Sequence, residues 1–404
     1  MDLLFFSLES LTWRPEYLPR SGTGLPQIQS EAPRLLAHAY LYEVDRYLRR
    51  ACRNDVVRWM DDISFGVADI ETGKRILRDL DELLSSLGVR LNTAKTQILP
   101  AQEGVHYFRM RENRYLTTVE NALNLRPLST ATRQRARQYV RSLYRRFTAG
   151  DRAGYWEKIV KRFFTIFGRL DDPYMQRRVP EILITCPGLR EAAFRYYRRL
   201  GYSRKRFQQL RAFVLSDHCL DDAATFGAAK LLVDWSLPRT GPAIPDAVRV
   251  AHDLCAGSSN RSIRTCASIW ILAKYGSPAD LAQIISSTEP YWRTSEWASR
   301  QIAAVTPRLD ASASSRVAAT MAAFGLAEGS AVLTHLEEIA RKTMLTRAER
   351  SYLVYQSNPL PLPKVLIGLA YLRGSLDEGT KAQLRADLVR LAGDPVYERL
   401  LRTA

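Results

Sequence analysis

The stretch VVRWMDDISFG, residues 56–66, sets two carboxylates between two runs of β-forming residues. Val, Trp, Ile and Phe favour a pleated backbone, so DVVRWM and ISFGV predict two short strands with Asp61 and Asp62 at the turn between them. An acidic pair at a turn is most often a cap or a solvated corner. Strands on both sides change its meaning, because a rigid hairpin presents carboxylates without rearrangement, as a catalytic metal site requires. Mg²⁺ prefers hard oxygen ligands, commonly one or two carboxylates together with phosphate oxygens. Paired ions of this kind suit phosphoryl or nucleotidyl transfer.

Working outward, Leu35, Leu36, Ala39, Tyr40, Val44 and Leu48 recur at helical spacing between Glu31 and Arg50, with Pro33 in the first turn. Downstream, ADIETGKRILRDLDELLSSLG (68–88) predicts a helix with acidic residues at its start and Gly88 at its C-terminal cap. VRLNTAKTQIL (89–99) predicts a strand or extended segment, and GVHYFRM (104–110) with RYLTTV (114–119) predicts a small hairpin. These elements make an α+β unit ahead of a mostly α remainder.

After Leu128 the texture changes. Residues 129–214 read as helical, basic and aromatic-rich; between Ala131 and Arg211 stand 21 Lys/Arg against 6 Asp/Glu, nearly all of the chain's net charge of +17. Such a block attracts polyanions, nucleic acid first among them. Arg133, Arg137, Arg141 and Arg145 recur every four residues, on one helix face, and are candidates for gripping a nucleic-acid backbone. The interleaved aromatics, Tyr144, Phe163 and Tyr196 among them, read as helical core rather than base-stacking platforms. From 215 to 404, short amphipathic helices separated by Gly, Pro and Ser pair in units of roughly 35–45 residues, a HEAT-like α-solenoid, with an irregular helical bundle as the alternative.

Five scattered cysteines, odd in number and without a Cys-x-x-Cys pair, argue against a disulfide framework or zinc site and fit a cytoplasmic protein. No apolar run approaches the roughly 18 residues of a membrane span, and the start lacks the basic region of a signal peptide. Gly22–Gly24 lacks the third glycine and preceding strand of a dinucleotide loop.

Taken together, four segments resemble the palm of reverse transcriptases. WMDD (59–62) is similar to motif C, an aromatic-x-Asp-Asp at the palm hairpin tip, and LGVRLNTAKTQIL (87–99) resembles motif D. GTGLPQIQSEAPRLLAHAYLYEVDRYL (22–48) resembles motif B, a Gly-x-Pro-Gln loop leading into a helix, and GVHYFRM would be the primer-grip hairpin. The resemblance implies a partial palm over 24–128, a basic thumb-like region over 129–214, and a C-terminal repeat domain over 215–404 of the kind found in abortive-infection and defence-associated reverse transcriptases of bacteria. Residues 1–23 would be a remnant or linker.

Residue by residue, the resemblance makes Asp61 a direct ligand of Mg²⁺ (or Mn²⁺) and Asp62 a supporting carboxylate. Lys95 would lie near the phosphates of an incoming dNTP. Gly24, Pro26 and Gln27 would sit beneath the template base or nucleotide. The implied chemistry is attack of a 3′-hydroxyl, or of a protein hydroxyl, on the α-phosphate of a dNTP, on RNA or DNA, with assembly into homo-oligomers in some family members. This sequence departs from the pattern in three places. Ile28 stands where motif B has Gly; the motif B serine is Ser30 or is replaced by Pro33; and no motif A aspartate precedes Gly24 at the required distance, Asp2 being misplaced relative to Phe5 and Phe6. A C-terminal portion of a longer protein, a companion chain carrying fingers and motif A, or a relic that only binds nucleic acid as a helical scaffold would each account for this.

Overall fold

The computed structural model describes residues 31–125, 129–256, 262–355 and 360–404. Residues 1–23 and the candidate residues Gly24, Pro26 and Gln27 lie outside the described residues. The described fold is mostly helical, with one two-stranded antiparallel sheet. It divides into two compact units at Gly104–Val105.

The first unit is built on three helices and the hairpin. Helices α1 (Glu31–Tyr40) and α2 (Tyr42–Ala51) precede strands β1 (Val56–Trp59) and β2 (Asp62–Phe65), and helix α3 (Ile70–Ser86) follows. Val44, Leu48 and Cys52 line one stripe of α2 and its end, and Ile76, Leu80 and Leu84 one stripe of α3; these six buried residues form the core. Spacings of four keep each set on one helix face. Val56, Ile63 and Phe65 on the inner face of the hairpin pack against them. Helix α3 begins as the sequence predicts: the Asp69 carboxylate accepts from the Thr72 amide at 2.7 Å. It ends at Gly88, whose φ of 73° is the left-handed conformation glycine takes without steric cost. Residues 89–100 form no strand; they run irregularly around a turn in which the Asn92 carbonyl accepts from the amides of Lys95 and Thr96.

The second unit opens with two helices where a hairpin was expected. Residues Ala101–Tyr107 form α4, which crosses the division, and Met110–Leu125 form α5. Two facts override the β-forming Tyr, Thr and Val of RYLTTV. Leu116 and Val119 are buried and Leu123 packs beside them, a helical period. The hydroxyls of Thr117 and Thr118 donate to the carbonyls of Asn113 and Arg114 one turn back, at 2.8 and 3.1 Å, which lets β-branched residues sit in a helix.

Helices α6 (Thr130–Thr148), α7 (Trp156–Arg169), α8 (Val179–Thr185), α9 (Arg190–Leu200) and α10 (Arg204–Val214) bury Tyr144, Phe147, Trp156, Phe163, Phe164, Phe167, Tyr196 and Tyr197. The aromatics are core, as expected, with edge-to-face pairs such as Tyr144–Phe163 at 5.1 Å between centroids.

One core continues to the C-terminus. It runs through α11 (Asp222–Asp234), α12 (Ala243–Ala256), α13 (Ser262–Tyr275), α14 (Pro278–Ser287), α15 (Glu289–Trp292), α16 (Glu296–Val305) and α17 (Ala311–Ala323). It ends in α18 (Ala327–Arg341), α19 (Arg347–Val354), α20 (Leu362–Arg373), α21 (Glu378–Ala392) and α22 (Pro395–Arg402). Helices α7, α9, α11, α13, α16, α18 and α20 pack each on the next. Short helices begin where caps dictate: Asp221, Ser277, Ser295, Asp310, Thr346, Asp377 and Asp394 each accept a backbone amide of the turn they start. The last helix returns to α13, where Lys274 meets Asp394 at 2.7 Å. This contact ties the last helix to one near the middle of the series. Among the described residues no helix is long and apolar enough to cross a membrane.

Candidate active site

Asp61 and Asp62 sit at the tip of the hairpin and are exposed. The register pairs Trp59 with Asp62, Arg58 with Ile63 and Val56 with Phe65, leaving Met60 and Asp61 as a two-residue loop. Two-residue hairpin loops need positive φ at one or both positions and usually use Gly or Asn there. Met60 takes φ 56° without being either, a strained conformation that surrounding contacts must enforce.

Arg58 supplies that enforcement. Its side chain is 5% exposed and points to the inner face. The guanidinium donates two bonds to Asp45 on α2, both at 2.6 Å, and a third to the Met60 carbonyl at 2.9 Å. A fork of this kind fixes geometry as well as charge. The hydrogen bond from Arg58 holds the Asp45 carboxyl below the usual carboxylate range, against the opposing effect of burial. Asp45, Arg58 and Met60 therefore form a clamp that ties the carboxylate tip to α2. Sequence reasoning missed it, although a readable signal existed: an arginine at an inward position of a half-buried strand needs an acidic partner below it.

Two outcomes follow. Arg58→Ala leaves Asp45 half-buried without its partner and the Met60 carbonyl without a donor, and is expected to cost the first unit about 2 kcal/mol. Denaturant titration of the chain, with hydrogen exchange at residues 60–62, measures this; an unchanged exchange rate at the tip contradicts the clamp. The pH dependence has a definite sign. Because Asp45 is shifted down in the folded state, the stabilisation is fully present above about pH 4, the unfolded carboxyl range. It is lost as pH falls through the lower folded value. Unfolding of the first unit followed by acid titration should therefore steepen below about pH 4 in the native chain and be flatter in the Asp45→Asn chain.

Lys95 lies in the Asn92–Thr96 turn, in the same unit as the acidic pair, and is exposed. Trp59, beside Asp62 in the register, is 75% exposed, so the outward face of the hairpin carries an aromatic ring next to a carboxylate. Among the described residues no group of three or more His, Cys, Asp or Glu is gathered where it could hold a metal ion. Two neighbouring carboxylates are, however, the share of an Mg²⁺ shell that a protein commonly supplies alongside substrate phosphates. The donor chemistry fits that part of a site.

The arginine row of α6 has a different setting. Arg137 donates to the Leu170 carbonyl at 3.0 and 2.7 Å and to the Asp171 carbonyl at 2.9 Å. Arg141 makes a fork to Asp172 at 2.8 and 2.6 Å, and the Asp172 side chain is wholly buried. Both guanidinia tie α6 to the segment after α7. Arg145 is exposed and Arg133 half-exposed, and neither forms an ion pair among the described residues. Arg109, buried at the joint between α4 and α5, donates to Asp151 at 2.6 Å and to the Ala153 carbonyl at 3.1 Å, a further structural use of arginine.

No protein-family model, no curated protein and no solved structure matches this chain. What the chain does must be argued from its own residues.

Proposed function

We propose that this chain carries part of a reverse-transcriptase-like nucleotidyltransferase acting in bacterial antiphage defence. The observation that supports it most is the acidic pair at a hairpin tip, strained at Met60 and clamped from beneath by Arg58 and Asp45. A solvated turn has no need of a buried arginine to hold its carbonyl, whereas carboxylates that must meet a substrate do. In this reading Asp61 and Asp62 would hold Mg²⁺ or Mn²⁺, which when bound would neutralise charge developing on the transferred phosphate. Lys95 would offset charge on the leaving pyrophosphate, and Trp59 would border the site. Motif B residues Gly24, Pro26 and Gln27 would seat the template base or nucleotide. A further carboxylate would come from a companion chain or segment carrying motif A, and the C-terminal helical array would serve assembly into homo-oligomers rather than chemistry.

A second reading rests on the basic excess of residues 131–211: a non-catalytic helical scaffold that binds nucleic acid. Incorporation of α-labelled dNTP into acid-insoluble product, by the native chain and whatever chain copurifies with it, separates the two. Incorporation supports the transferase; salt-sensitive binding with no incorporation supports the scaffold.

A further inference from the structure

Helices α5 and α6 leave an open groove of about 280 Å³ between them, lined by Thr118, Val119, Ala122, Leu123, Ala136 and Tyr139, with Thr132 and Arg135 on its α6 side. Its walls are apolar, yet its surroundings are cationic. On α6, Arg135, Tyr139 and Arg146 follow at spacings of four and seven, one continuous stripe. On α5, Arg111, Arg114 and Tyr115 precede Thr118 at spacings of seven, four and three, the corresponding stripe. Arg111, Arg114, Arg135 and Arg146 are all exposed, and Tyr139 and Tyr115 are 44% and 48% exposed while the other aromatics of α6 and α7 are buried.

Among the described residues basic groups outnumber acidic ones on this face: Glu112, seven residues before Val119, is the acidic residue of the α5 stripe, against Arg111, Arg114, Arg135 and Arg146. Helix α6 contains six arginines and no acidic residue. Of the acidic residues on α5, Glu120 turns the other way and pairs with Arg162 of α7, as do Asn113 and Thr117. The face is thus distinct from the one on which Arg137 and Arg141 are tied down.

We infer that this groove binds single-stranded nucleic acid, with a base lodged against Tyr139 and phosphates on Arg111, Arg114, Arg135 and Arg146. An apolar slot alone would take many occupants, and a cationic rim alone would take any polyanion. A ligand with a planar apolar face and phosphates within a few ångströms of it satisfies both, and a nucleotide strand is such a ligand. In a duplex the bases are stacked inside and cannot enter. The groove is small beside the roughly 300–1,000 Å³ of drug-sized sites, which suits one ring system rather than a large ligand. The inference goes beyond nucleotidyl transfer and does not require it.

The test is fluorescence anisotropy of the full chain with a labelled 15-nucleotide oligothymidine, the same strand made abasic, a hairpin duplex and polyglutamate. Tyr139→Ala is expected to weaken the single strand roughly five- to a hundredfold and to leave the abasic strand unaffected. Arg135→Ala and Arg146→Ala should each reduce the salt slope by about 0.7. Tyr352→Ala, an equally exposed tyrosine far along the chain, should bind as the native chain does, and unchanged melting of each variant confirms folding. Binding of Tyr139→Ala within twofold of native overturns the inference. So does a duplex that binds as tightly as the single strand, or displacement by polyglutamate at equal charge. Two readouts on the native chain separate the two readings: a chain that binds through Tyr139 but incorporates nothing overturns only the transferase, and one that incorporates dNTP while ignoring Tyr139 overturns only this site.

Discussion

Lys274→Met is expected to lower the stability of the second unit by about 3–5 kcal/mol, the usual cost of stranding one partner of a buried ion pair. Lys274 lies on α13 with a side chain 1% exposed. Its ammonium donates to the Val233 carbonyl at 2.6 Å, the Trp235 carbonyl at 2.9 Å and the Asp394 carboxylate at 2.7 Å, and lies 4.4 Å from the centre of the Tyr397 ring. Burial pushes its pKa down and Asp394 opposes that push. Methionine fills the same space but donates nothing, leaving two carbonyls and a carboxylate in the interior without their partner. The loss also unlatches α22, because Asp394 caps that helix through the Val396 amide at 2.8 Å. For a unit of this size the expected fall in Tm is on the order of 10 °C. Adding Asp394→Asn to Lys274→Met removes the stranded charge while keeping an oxygen for the cap, and should recover part of the loss. Denaturant unfolding of the native, single and double variants measures this. A loss below about 1 kcal/mol for Lys274→Met contradicts the clasp.

The clasp also illustrates what could not be read from the sequence. Lys274 and Asp394 are 120 residues apart, and neither stands out in its own segment. A lysine in the last turn of a helix and an aspartate ahead of Pro395 have ordinary local explanations, a dipole partner and a cap. Only the return of the chain brings them together. Elements governed by local rules were legible. The hairpin followed from β-forming residues around a turn, α3 from an acidic start and a terminal glycine, and the aromatic core from its helical spacing. The hairpin predicted over 104–119 shows where propensity gave way. Thr117 and Thr118 satisfied their hydroxyls within a helix whose apolar stripe had somewhere to be buried.

The candidate site divides the same way. The acidic pair was visible because its residues are adjacent, whereas the Arg58–Asp45 clamp joins a strand to a helix and showed only as an inward-facing arginine. Arg133, Arg137, Arg141 and Arg145 all lie on α6, where Arg137 and Arg141 turn toward the segment after α7. What no local rule supplied was the buried Asp172 and the carbonyls of Leu170 and Asp171 waiting on that side, which leave the opposite stripe, with Tyr139, open to solvent.

The second large effect concerns Asp61. It is exposed in the two-residue loop, while the strain and the clamp reside in Met60, Arg58 and Asp45. Asp61→Asn should therefore fold and melt as the native chain does. If Asp61 is a metal ligand, the exchange of a carboxylate for an amide removes the charge that a hard cation requires, and activity should fall at least about a hundredfold. Asp62→Asn, in the supporting position, should fall less. Arg58→Ala should lie between, because it loosens the tip without removing a ligand.

The most direct measurement is incorporation of α-labelled dNTP by the chain purified from its native host with any companion that accompanies it, native against Asp61→Asn. Magnesium-dependent incorporation by the native protein, abolished in Asp61→Asn while melting is unchanged, is the predicted result. Native protein without incorporation, or an Asp61→Asn protein as active as native, would contradict the account.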